Sequence, residues 1–328
     1  MTCAFTMLAA GFCLAQWRGV YYWPDRNNTS DGHTSMVETE GRDLVDENTV
    51  RTARETASHS TDTPVWTNAP GFESDVWTFV RIKYKYGKGP RISGTASPWG
   101  WITDYPDSDL NLSFRVQQMT SIRTDPDGRT LFLKDPELFD FPWIYMVEPG
   151  RMTLRDEEVP ILRKYLLNGG VLMVDDFWGQ KQWDNFEYEL KRVLPEREYR
   201  FEELPMTHPI FHCVFDIKVP KNKLQTPNSH LGANSLRPGN PDFGVTWEGY
   251  HDDYDAAHRP DYTGRAAHDM HVRALYDKKG RLMVIATHNC DNGDGWEREG
   301  ENDAFFHEFS EKRAFPLGIN ILFYLMTH

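Results

Sequence analysis

Residues 143–179, WIYMVEPGRMTLRDEEVPILRKYLLNGGVLMVDDFWG, read as strand, turn, helix, turn, strand, and this unit constrains the fold more than any other part of the chain. Trp143–Val147 and Val171–Val174 are short apolar runs without alternation, as expected of strands buried on both faces of a helix-covered parallel sheet. Between them Val159, Leu162 and Leu166 recur at helical spacing, and Tyr165 widens the stripe. Thr153 with Asp156 resembles a capping pair, and Pro160 leaves the start of the helix soft. Asn168-Gly169-Gly170 ends it, because glycine tolerates the left-handed C′ conformation. Parallel strands joined through a helix make a right-handed crossover, and such sheets bind ligands beyond the carboxyl ends of their strands. The unit therefore predicts an α/β fold with a mostly parallel, doubly wound sheet. It sets Glu148, Asp175, Asp176 and Trp178 at the edge where a site would lie.

The rest of the chain fits one such domain. Residues 4–15, AFTMLAAGFCLA, form an apolar run of signal-peptide length with small residues suited to cleavage after Ala15, although no Lys or Arg precedes it. The run is too short to span a bilayer, and no other segment reads as transmembrane. This predicts export to a periplasmic or extracellular location. Residues 16–75 are polar, poor in core-forming residues from 24 onward, and predict an exposed, partly disordered lead-in. The α/β domain is expected over 76–328. A formal net charge of −13 without a basic stripe argues against nucleic acid as a partner. Two of the four cysteines fall in the apolar leader, and whether Cys213 and Cys290 pair is open.

Val80–Tyr86 alternates apolar and basic residues and predicts a strand with one wet face. Asp107 or Asp109 can cap a helix whose Leu112, Val116 and Met119 share a face, and Thr130–Leu133 is the next strand. After the central unit, Asp184 and Glu187 resemble a second capping pair, with Phe186, Leu190 and Val193 on the buried side. Residues 220–268 form a long irregular stretch, a lid or an insertion. Val272–Tyr276 and Leu282–Thr287 flank Asp277-Lys278-Lys279-Gly280 as a hairpin, 289–303 reads as a second polar loop, and 314–326 as a buried closing helix.

The blocks WITDYPDSDLNLSFRVQQMT, DPELFDFPWIYMVEPG, LRKYLLNGGVLMVDDFWG, HPIF and AFPLGINILFYLMTH resemble an exported bacterial family known as domain of unknown function 4159, over roughly residues 76–328. The resemblance implies a fold similar to the class I glutamine amidotransferase-like, flavodoxin-like superfamily, with long loop insertions. The helix-Gly-Gly-strand unit followed by His-Pro-Ile is similar to its trehalose-utilisation type. The resemblance brings no activity with it.

An acyl-transfer enzyme of that kind needs a nucleophile on a tight elbow after the central strand. Asp175-Asp176 stand there instead, Cys213 and Cys290 are not on elbows, and Gly-x-Ser-x-Gly is absent. One of Asp175 and Asp176, with His208, is the candidate general base, although capping or loop-bonding roles are the plainer reading. Asp104, Asp107, Asp109, Glu148, Asp291 and Asp294 are candidate ligand-binding carboxylates. Trp178 and Trp247, with Trp99, Trp101 and Trp296, can stack on a sugar ring or simply pack their loops. Asn289, Asp291 and Asp294 imitate a calcium loop, but Gly293 occupies a ligand position and no Glu stands at the required distance. His268 and His271 do not complete a zinc signature. No metal and no cofactor is assigned. The expectation is a non-enzymatic or degenerate-site envelope domain binding protein or glycan; the alternative is a carbohydrate-acting hydrolase or lyase using a strand-end carboxylate.

Overall fold

The two apolar runs become the middle strands of a seven-stranded sheet. The computed structural model describes residues 36–72, 75–86, 100–248 and 267–328; the leader, Trp99 and the 249–266 part of the long irregular stretch lie outside them. The strands are β1 (Met36–Glu38), β2 (Leu44–Asp46), β3 (Val80–Lys83), β4 (Lys85–Tyr86), β5 (Arg129–Phe132), β6 (Trp143–Val147), β7 (Met152–Thr153), β8 (Val171–Asp175), β9 (Glu202–Glu203), β10 (His271–Tyr276) and β11 (Leu282–His288). The main helices are α1 (Asp107–Met119), α2 (Glu158–Leu167), α3 (Gly179–Val193), α4 (Ser229–Ser235), α5 (Asn292–Glu297) and α6 (Phe315–Thr327), the last entered through a π-helical stretch, Phe306–Ala314.

The large sheet runs β5-β3-β6-β8-β11-β10-β9. Its first five strands are parallel, and β10 and β9 are antiparallel additions. Numbered in chain order, the parallel strands lie 2-1-3-4-5 across the sheet. β6 and β8 pair from Trp143 opposite Val171 to Val147 opposite Asp175, and all their residues are buried. Alternate side chains feed two cores. Ile144, Met146, Leu172 and Val174 meet Leu162 and Leu166 of α2 and Phe186 and Leu190 of α3. Trp143, Tyr145, Val147 and Met173 meet Leu112 and Val116 of α1 and Leu317 and Ile321 of α6. Helices thus cover both faces, which is why these strands carry no polar alternation.

Several local expectations are corrected. β3 has no wet face: Arg81 and Lys83 are both fully buried. Arg81 is paired with Asp109 of α1, and the Lys83 ammonium donates to the carbonyls of Glu47 and Val50 at 2.8 Å each. Those acceptors belong to residues 36–72, the described part of the polar lead-in, which is partly exposed and partly packed on the domain. Val45, Val50 and Ala53 pack into the core, and Thr130 N donates to Arg51 O while Ala53 N donates to Asp127 O, covering the outer edge of β5. Thr153 does not cap α2; it lies in β7, and α2 starts at Glu158, so Pro160 falls in the first turn, where its missing N–H costs nothing. α3 begins at Gly179, leaving Asp184 and Glu187 inside it. Met119 is exposed rather than on the buried face of α1. The hairpin is present, with Gly280 at φ 82°. The expected polar loop at 289–303 holds α5, every residue of which is buried.

Candidate functional site

The carboxyl ends of four adjacent parallel strands each lead to a carboxylate: Asp104 beyond β3, Glu148 after β6, Asp176 after β8 and Asp291 after β11. Three of these, with Asn289, turn through the left-handed region, at φ 60° for Asp104, 48° for Glu148, 54° for Asp176 and 60° for Asn289. Asp and Asn adopt it more readily than most residues, whereas Glu rarely does, and such residues gather at functional sites. The loop carrying Asp104 is pinned from beneath. Arg81 donates to the carbonyls of Trp101 (3.0 Å) and Thr103 (2.8 Å), while its Nε bonds both oxygens of Asp109 at 3.1 and 3.0 Å. The Glu148 carboxylate accepts from Gly100 N at 3.2 Å, tying the β6 end to the same loop.

Asp175 and Asp176 diverge. Asp175 faces inward and accepts from Asn292 N (2.8 Å), Asn292 Nδ2 (2.8 Å), Gly293 N (3.1 Å) and the Thr287 hydroxyl, so it anchors α5. Burial lifts its pKa to about 6 against these donors. Asp176 accepts from the Trp178 indole at 2.9 Å. Burial first, then the charges of Glu148, Glu248 and Asp104, push it well above the usual carboxylate range. Asp104, Asp176 and Asp291 each place an oxygen within 4.8 Å of the other two, and Asp104, Asp294 and Glu297 form a second such group. Asp291 accepts from Asp294 N at 2.8 Å as the cap of α5, and burial and then Asp176 push its carboxyl well up. Asp104 is likewise pushed well up, by burial, then Asp294 and Glu40.

The second group is countered by cations. Arg298 bonds Glu40 at 2.8 Å and Asp294 at 3.3 Å and pairs with Glu297. His59 touches Asp107, Glu297 and Glu40. Burial opposes its charge most, yet the three carboxylates outweigh it and raise its pKa to about 12. Among the described residues, no Lys, Arg or His forms an ion pair with Asp104, Asp176 or Asp291.

A family model, Domain of unknown function (DUF4159), matches residues 78–326. The chain belongs to the DUF4159 family. No curated protein matches it. Glu40 and His59 precede the matched region, so this DUF4159 chain completes its acidic cluster with residues from outside the family domain.

The other expected site residues disperse. Asp109 is the partner of Arg81, and Asp107 accepts from Ser58 Oγ (2.5 Å) and His59 N (3.0 Å), so both hold structure together. His208 is not beside the aspartates: its Nδ1 accepts from Ile210 N, and its ring reaches Tyr276, whose partner Leu282 begins β11 at the opposite edge of the sheet. Trp178 is buried against Asp176, while Trp247 is half-buried and packs on His268, with ring centres 4.4 Å apart. His271 of β10 pairs with Glu203 of β9 instead of joining His268. Cys213 and Cys290 are free. Nothing in the sequence marks Glu40, His59, Glu297 and Arg298 as a group, since charged residues in polar surroundings carry no periodicity. The one signal is Glu297, three residues beyond Asp294 and beside Trp296, a large apolar ring in an otherwise polar segment.

Proposed function

We propose that this DUF4159 chain is a non-catalytic binding domain of the cell envelope, exported and cleaved after Ala15, whose acidic carboxyl edge engages a protein or glycan partner. The observation that carries this reading is the state of Asp175. It closes the central strand, and its oxygens are taken up by Thr287, Asn292 and Gly293, while the turn after the strand, where acyl transfer needs a nucleophile, carries Asp176. Neither cysteine substitutes for it: burial raises the thiol pKa of Cys213 and pushes that of Cys290 well up, away from the reactive thiolate. The strand order 2-1-3-4-5 supports a flavodoxin-like, class I glutamine amidotransferase-like placement, a group in which function belongs to sites and not to the fold. Among the described residues, no helix is long and apolar enough to cross a membrane. The net charge of −13 favours partners other than nucleic acid.

The test combines a glycan array, including peptidoglycan fragments, with reducing-sugar assays on the same ligands. Binding without turnover is expected. A second reading, a carbohydrate-acting enzyme, is supported by Asp176, a strand-end carboxyl pushed well up beside Glu148. Turnover that disappears in Asp176→Asn establishes that reading and overturns the first. Export is checked separately by sequencing the N-terminus of protein recovered outside the cytoplasm: Gln16 is expected, and an intact Met1 contradicts it.

A further inference from the structure

We propose that Asp104, Asp176 and Asp291 form a site for one hard divalent cation of the calcium or magnesium class. Three carboxylates from three strand ends come within 4.8 Å of one another, close enough to share one ion. Asp104 supplies the independent sign. It is 1% exposed, and among the described residues its Oδ2 is fully buried with no N–H or hydroxyl donor, its nearest acidic neighbours being other carboxyls. That oxygen is aimed at the first turn of α5: a Cβ on Gly293, between Asp291 and Asp294, would collide with it. A buried carboxylate oxygen with no donor carries the full desolvation cost unless something positive meets it. The neighbouring acids show what is missing. Asp109 has Arg81, Glu297 has His59 and Arg298 on its Oε1, and Asp294 has Arg298. For Asp176 and Asp291 the donors are neutral, the Trp178 indole and the Asp294 amide. An all-oxygen donor set selects calcium, magnesium or manganese over zinc or copper. This inference deepens the binding reading above, and rests on it only in taking this edge as the place where a partner meets the protein.

The experiment is isothermal titration calorimetry with a thermal-shift series on chelator-treated, desalted protein, using CaCl2, MgCl2 and MnCl2, with KCl matched for ionic strength. At least one divalent ion is expected to bind one per chain. It should raise Tm by roughly 5 °C at a hundredfold excess over Kd. Asp104→Asn and Asp291→Asn should each weaken binding tenfold or more. Asn remains a good cap at 291, so that variant folds even if the other does not. Asp156→Asn, at a fully exposed side chain, should bind like the wild type. No divalent-specific shift beyond KCl, or unchanged affinity in Asp291→Asn, overturns the site. Cation binding without any glycan or protein ligand leaves this site standing and removes the reading it deepens. Ligand binding indifferent to chelator, with no cation bound, does the reverse.

Discussion

Gly170 has the Tyr165 ring packed over the position a Cβ would take. Its neighbour Gly169, at φ 115°, takes the left-handed turn that ends α2. The two glycines are therefore required for different reasons, close approach at one and backbone angle at the other. Gly170→Ala overpacks the ring and should cost about 1–3 kcal/mol in urea unfolding; an unshifted midpoint contradicts that packing. His59 makes a sharper case. Its side chain is only 5% exposed, wedged among Asp107, Glu297 and Glu40, with Arg298 facing two of the same acids. Removing one partner of a buried ion pair costs roughly 3–5 kcal/mol, so His59→Gln should lower stability by about that much. The sign with pH follows from the raised pKa. Folded His59 keeps its proton to about pH 12, whereas unfolded histidine loses its own near 6.5. The difference between wild type and His59→Gln should be full below pH 6.5 and shrink as pH rises. A constant difference from pH 6 to 9 contradicts a charged His59.

Among the elements, residues 36–72 depart furthest from expectation. Their composition reads as solvated chain, yet they cover the β5 edge and accept both hydrogen bonds of the buried Lys83. A chain truncated before residue 73 should lose at least about 3 kcal/mol, since two hydrogen bonds from a buried charge are broken, and should aggregate through the uncovered edge. Undiminished Tm and solubility of that truncation contradict the account. The sequence hides this because edge covering uses backbone groups, which leave no side-chain pattern. Similarly, alternation in Val80–Tyr86 correctly announces a strand but misplaces its basic residues. Periodicity reports which side chains share a face, and only the partners Asp109, Glu47 and Val50 decide whether that face is wet. β6, α2 and β8 were legible because burial on both faces demands unbroken apolar runs, and the β10–β11 hairpin because Gly280 marks its turn.

For the whole molecule, the mostly parallel sheet and its carboxyl edge follow from the sequence, and four strand ends lead to carboxylates there. What the sequence conceals is the distribution of charge around them. Asp107, Asp109 and Asp175 look like Asp104 and Asp176 in the chain, but His59, Arg81 and the α5 amides satisfy the first three. Only tertiary packing separates neutralised acids from those left facing one another. The central claim is that this remainder is a cation site at the carboxyl edge. The most direct measurement is anomalous diffraction from crystals soaked in MnCl2, with a manganese-free crystal as reference. The account predicts a single strong peak among Asp104, Asp176 and Asp291, reduced in an Asp104→Asn crystal soaked at the same sub-saturating MnCl2 concentration. Fully ordered carboxylates with no peak between them, or a peak undiminished in Asp104→Asn, would contradict it.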